Sequence, residues 1–216
     1  MCGGSEEKMA QLDILLICQI GMGLFWIITY LLVIYKGWKD KKYGMPMVAI
    51  CANIAWEFIF TFLYPQNDLQ RLITLTWLIL DVVILMQFLR FAPPEYRRIL
   101  SKKLLYASFL VTLIFSMFLI LGIIHQFQDF EGKYAAFLQN LMMSGLFIGL
   151  LLRRGNLDGQ SMGIAVCKMI GTLFAAVGFY LYFRTPFITI ISMATLFYDC
   201  LYILLIYQMK RKLVAK

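Results

Sequence analysis

Residues 43–65 read YGMPMVAICANIAWEFIFTFLYP. The stretch is long and apolar enough for a helix that crosses a bilayer, yet it carries Asn53 and Glu57 four residues apart and therefore on one face. A charged carboxyl in the middle of a spanning helix costs about 2.5 to 3.5 kcal/mol on the insertion scale, so such a residue marks a site or a pathway by default.

The rest of the chain shares this character. Its 216 residues are 62% hydrophobic and 15% charged, whereas soluble domains carry about 25% charged residues. Seven apolar segments fall near 14–35, 45–64, 72–91, 104–124, 134–152, 160–182 and 187–208, each able to span roughly 30 Å of hydrocarbon. Pro46 and Pro186 stand at the starts of the second and seventh segments; Pro65 and the Pro93-Pro94 pair are expected at or beyond helix ends. The fold class is all-α: an integral-membrane bundle of seven transmembrane helices forming one domain over 14–209. A polar tail is expected over 1–13 and a basic tail over 210–216.

The net charge of +8 does not indicate nucleic acid, because the basic residues sit in short clusters between apolar runs. Fifteen Lys and Arg side chains flank the segments on one side and four on the other, which places the N-terminus outside and the C-terminus in the cytoplasm. Glu6 and Glu7 stand where a signal peptide would be basic, so the first helix is expected to direct insertion. The five cysteines form no CxxC pair and imply neither a disulfide framework nor a zinc site; His125, at a helix end among polar residues, is assigned no role.

Three further ionisable residues fall within apolar segments: Asp81, Lys168 and Asp199. At about 1.5 Å per residue, all four lie in a slab roughly 12 to 18 Å from the basic side. Three carboxyls and one ammonium cannot all be charged cheaply in low dielectric. Lys168 neutralises one acid, and at least one other carboxyl is expected to keep its proton. A neutral buried carboxylic acid is a proton donor, the starting material for acid catalysis in an apolar pocket. Plainer readings exist: Lys168 with Asp81 as a structural ion pair joining helices, and Asn53 as an interhelical hydrogen-bond donor. Around the two remaining acids stand Phe60 near Glu57 and Tyr202 near Asp199, and Trp56, Trp77, Tyr198 and Tyr202 offer π-faces to a passing carbocation, a contact worth about 2 kcal/mol when desolvated.

GMPMVAICANIAWEF, WLILDVVI, CKMIGT and FYDCLYI together resemble the small seven-helix membrane terpene cyclases of fungal meroterpenoid and indole-diterpene pathways, which have bacterial relatives. The Asn-x-x-Trp-Glu-Phe element, Asn53 to Phe58, is the most specific part of the match. The resemblance implies cyclisation of a prenyl chain on an aromatic or other head group, commonly after epoxidation of its terminal double bond. It implies Glu57 and Asp199 as the catalytic pair, a lipophilic prenylated substrate and no cofactor. A fungal chain would belong in the endoplasmic reticulum membrane, a bacterial one in the plasma membrane. The sequence carries no Asp-Asp-x-x-Asp or Asn-Asp-x-x-Asp, so magnesium-dependent ionisation of a diphosphate lacks its ligands. Two alternatives use the same buried acids: a small seven-helix transporter, and a membrane double-bond isomerase working through a carbocation.

Overall fold

The computed structural model describes the backbone of residues 3–214 and the side chains of residues 12–212; Cys2 lies outside this range. Seven α-helices follow one another: α1 Gly3–Asp40, α2 Met47–Phe58, α3 Asp68–Tyr96, α4 Lys102–Phe127, α5 Lys133–Arg154, α6 Met162–Tyr182 and α7 Pro186–Val214. Among the described residues there is no strand. Six helices are long and apolar enough to cross a membrane; the seventh apolar helix, Met47–Leu63, is shorter.

Three boundaries depart from the sequence expectation. The segment expected as a polar tail is helical from Gly3, and the basic C-terminal residues continue α7 to Val214. Pro93 and Pro94 lie inside the end of α3 rather than beyond it. Pro93 has no N–H for the carbonyl of Leu89 four residues back, and the Tyr106 hydroxyl of α4 donates to that carbonyl instead at 3.0 Å. An outside donor thus makes the proline tolerable.

The helix starts are marked by side chains. Asn67 accepts the Gln70 amide at 2.9 Å, Ser101 that of Leu104 at 3.2 Å and Ser161 that of Ile164 at 3.3 Å. At the start of α5 the buried Asp129 carboxylate accepts the amides of Lys133 and Ala135 at 2.8 and 3.2 Å. A negative group there complements the helix dipole.

α1 packs along α6 and α3, α2 sits among α3, α4 and α5, and α7 lies against α5 and α6. At the end that carries most of the basic residues, the bundle is clasped shut. Arg153 and Arg154 of α5 bind Glu95 of α3 at 2.8 and 2.9 Å. Arg154 also donates to the Tyr43 and Asp158 carbonyls at 2.8 Å, and Arg153 to the Tyr43 hydroxyl. Buried Tyr43 packs on Phe88 beneath them. The opposite end is open.

Candidate active site

After Phe58, α2 widens into a π-helical turn, Ile59–Leu63. The change of pitch buries Ile59, Phe60 and Thr61 and leaves Phe62 and Leu63 exposed. π-turns are uncommon and concentrate at functional sites. This one begins two residues after Glu57.

Beside it lies a cavity of about 410 Å³, a size suited to a small organic ligand, lined by α1, α2, α3, α5, α6 and three of the connecting loops. Its walls include Met22, Trp26, Trp56, Trp77, Met143 and Phe174; Tyr30, Asn53 and Glu57 are also in its lining. Two indole N–H groups of the wall are already occupied: Trp56 donates to the Gly132 carbonyl at 3.1 Å and Trp77 to that of Gly23 at 3.4 Å. The rings are therefore fixed, and their π-faces remain for a ligand. Gly132 is held at φ 73°, and a Cβ on it would come within 2.5 Å of the Phe60 ring and 2.9 Å of Trp56 Nε1. Only glycine fits both the conformation and the space.

Glu57 is fully buried, and no cation among the described residues forms an ion pair with it. The Tyr30 hydroxyl donates to Glu57 Oε1 at 3.3 Å and accepts from Asn53 Nδ2 at 2.7 Å; Gln139 Nε2 donates to Asn53 Oδ1 at 3.2 Å. Asp81 is buried behind the cavity wall as a neighbour of Glu57, Asn53 and Tyr30 and forms no hydrogen bond with Asn53 or Tyr30. Glu57 Oε2 and both Asp81 oxygens have no donor from the protein. Two carboxyls can hydrogen-bond each other only if one of them carries a proton.

Lys168 has a different partner from the one expected. It pairs with Asp199 at 2.7 Å, both side chains fully buried, and not with Asp81. The ammonium also reaches Ser144 at 2.6 Å and Asn140 at 3.0 Å, and the Ser144 hydroxyl lies 2.8 Å from the same Asp199 oxygen. Three protein acceptors saturate the ammonium's three hydrogens. The four buried charges thus separate into a carboxyl pair without a cation and an ammonium–carboxylate pair.

Of the residues expected at the site, Asn53, Trp56, Glu57 and Trp77 line the cavity. Asp81, Lys168, Asp199 and Phe60 are buried outside its lining, Phe60 packed on Trp56 with ring centroids 4.8 Å apart. Tyr202 is buried against Phe147 with centroids 5.8 Å apart, away from the cavity lining. Tyr198 is 39% exposed on the outer face of α7, outside the cavity lining. Its neighbours in the sequence account for this: Asp199 faces inward, so the residue before it on the helix is turned about 100° away. Trp26, Tyr30, Gln139, Asn140 and Met143 line the cavity without having been singled out. Trp26 and Tyr30 share a face of helix 1, and Gln139, Asn140 and Ser144 interrupt an apolar helix 5; attention to ionisable groups alone passes over such signals. Among the described residues, no three His, Cys, Asp or Glu side chains converge as metal ligands do.

A seven-helix apolar bundle enclosing an aromatic cavity with the buried carboxyl of Glu57 in its lining defines a class: membrane proteins fitted for acid chemistry on lipophilic molecules. Residues 6–212 match the family described as Pyr4-like transmembrane terpene cyclases, and the chain belongs to that family. It is 34% identical over 163 residues to terpene cyclase macJ of Penicillium terrestre, covering 73% of this chain and 63% of that protein. To the Pyr4-family terpene cyclase mfmH of Annulohypoxylon moriforme it is 32% identical over 168 residues, 76% of this chain and 67% of the relative. Terpene cyclase pyr4 of Aspergillus fumigatus is 39% identical over 79 residues, 36% of this chain and 33% of its own length. The chain thus spans about two thirds of the length of the first two relatives and a third of the last.

Proposed function

We propose that this chain is a membrane-bound terpene cyclase that protonates an epoxidised prenyl chain and drives carbocationic ring closure. The observation that carries the reading is the Glu57–Asp81 carboxyl pair, in contact with the cavity through Glu57 and free of any ion-paired cation. Glu57 in its acid form gives its proton to the epoxide oxygen; the C–O bond breaks, leaving a hydroxyl and a tertiary cation. The π-electrons of successive alkenes attack in turn, each forming a C–C bond and moving the cation along the chain. Loss of a proton from the last cation ends the cascade, so substrate and product are isomers and no other reactant is consumed. Trp26, Trp56 and Trp77 stabilise the travelling cation through their faces, and the apolar wall keeps water from capturing it.

Asp81 shares the pair's one proton with Glu57 before the reaction; the proton lost from the last cation passes to solvent, and the pair takes one proton back from solvent to reset, while Tyr30 fixes the rotamer of the acid. Asp199 acts from behind the wall as a positioning residue: with Lys168 it holds Asn140, which lines the cavity. The substrate is a lipophilic prenylated small molecule taken up from the membrane.

Microsomes carrying the protein, supplied with epoxyfarnesyl hydroquinone, provide the test. Wild type is expected to yield a cyclised isomer of unchanged mass, and Glu57→Gln none. Cyclised product from Glu57→Gln at the wild-type rate, or double-bond migration without ring closure, would contradict the assignment.

A further inference from the structure

The cavity runs from Glu57 toward the end of the bundle opposite the Arg–Glu clasp. Tyr30 lies beside Glu57, while Gln19 stands eleven residues earlier on α1, about 16 Å nearer the open end. There the lining holds four primary amides, Gln19 of α1, Gln66 and Asn67 of the loop before α3 and Gln70 of α3, alongside the rings of Phe179 and Phe183; Asn53, Gln139 and Asn140 are the amides nearer Glu57. Gln19 Nε2 donates to Gln70 Oε1 at 3.1 Å and to Asn67 Oδ1 at 3.3 Å. Gln66 donates to the Glu131 carbonyl, and its own Oε1 is buried with no partner. Lys133 is the one Lys or Arg among the described residues that line the cavity, and Glu131 holds it in an ion pair at 2.9 Å.

We infer that Gln19, Gln66, Asn67 and Gln70 form a head-group subsite for a neutral oxygenated ring, so that the substrate enters prenyl end first and its terminal unit reaches Glu57. This rests on the cyclase reading and adds a direction and a specificity to it. An amide offers both a donor and an acceptor, which suits the hydroxyls and carbonyls of an oxygenated ring. A diphosphate needs several free cations, and the single neutralised lysine supplies none. Ring closure therefore starts at the base of the cavity and runs toward the mouth. With the basic clasp on the cytoplasmic side, that mouth faces the opposite side of the membrane.

Binding can be read without turnover, because Trp26, Trp56 and Trp77 line the cavity and report occupancy by fluorescence quenching in detergent. The probes are farnesyl hydroquinone, the hydrocarbon farnesene and farnesyl diphosphate, against wild type, Gln19→Leu and Gln70→Leu. Wild type is expected to bind farnesyl hydroquinone about tenfold more tightly than either other probe, the difference made by one or two net hydrogen bonds. Both variants should lose that preference while keeping the wild-type affinity for farnesene, which also shows that they fold. Equal affinity of wild type for hydroquinone and hydrocarbon, tighter binding of the diphosphate, or a preference that survives both substitutions would overturn the subsite. A failed cyclase reading gives a separate result: these affinities as expected, with epoxyfarnesyl hydroquinone recovered unchanged.

Discussion

Two buried acids in this bundle have opposite neighbours. Asp199 has an ammonium at 2.7 Å and a serine hydroxyl at 2.8 Å, whereas Glu57 has a tyrosine hydroxyl at 3.3 Å and a second carboxyl. The first arrangement is balanced in charge and saturated in hydrogen bonds around its cation, so it is suited to holding helices together. The second has no such counter-charge; in the proposed reading it is held by a shared proton, which makes it the member with a proton to give. Burial alone does not make an acid catalytic; the identity of its partner separates scaffold from reagent.

Substitutions can break this contrast. The largest effect is expected from Glu57→Gln, which should lower turnover by about 10²- to 10⁴-fold, the range for loss of a general acid, while the melting temperature stays near wild type. Asp199→Asn reverses the pattern by leaving the Lys168 ammonium buried without its counter-charge. Chemical denaturation in detergent should show a loss of about 3 to 5 kcal/mol, and Lys168→Met made together with Asp199→Leu should recover most of it. If Asp199→Asn instead abolishes turnover with stability intact, Asp199 belongs with the reagent and not the scaffold. Asp81→Asn keeps the shape of the pair but removes its second proton site; a loss of turnover of roughly tenfold is expected, with Glu57 still active. Tyr30→Phe removes one hydrogen bond to the acid and one acceptor for Asn53. About 1 kcal/mol, or a fivefold fall in turnover with little change in KM, is expected from initial-rate kinetics.

Much of this could be read from the chain before any coordinates. The apolar segments gave seven helices because spanning length leaves few alternatives in a bilayer. Asn53, Trp56 and Glu57 were legible because a carboxyl and an amide on one face of an apolar helix have no cheap structural explanation. The pairing of the charges was not legible. Asp81, Lys168 and Asp199 lie at similar depth on separate helices, and depth says nothing of which helices adjoin; α6 packs along α7, and that contact assigns Lys168 to Asp199. Tyr30 was invisible for a related reason, since one tyrosine in a helix rich in aromatics becomes informative only when Asn53 and Glu57 are seen on either side of its hydroxyl. The π-turn after Phe58 leaves no mark in composition or period.

The proton shared by Glu57 and Asp81 is open to direct observation. Infrared spectroscopy of the purified protein at neutral pH should show the carbonyl stretch of a protonated carboxylic acid in a low-polarity environment, and Glu57→Gln should remove or shift it while Asp199→Asn leaves it in place. The absence of such a band from wild type, or its persistence unchanged in both Glu57→Gln and Asp81→Asn, would contradict the account.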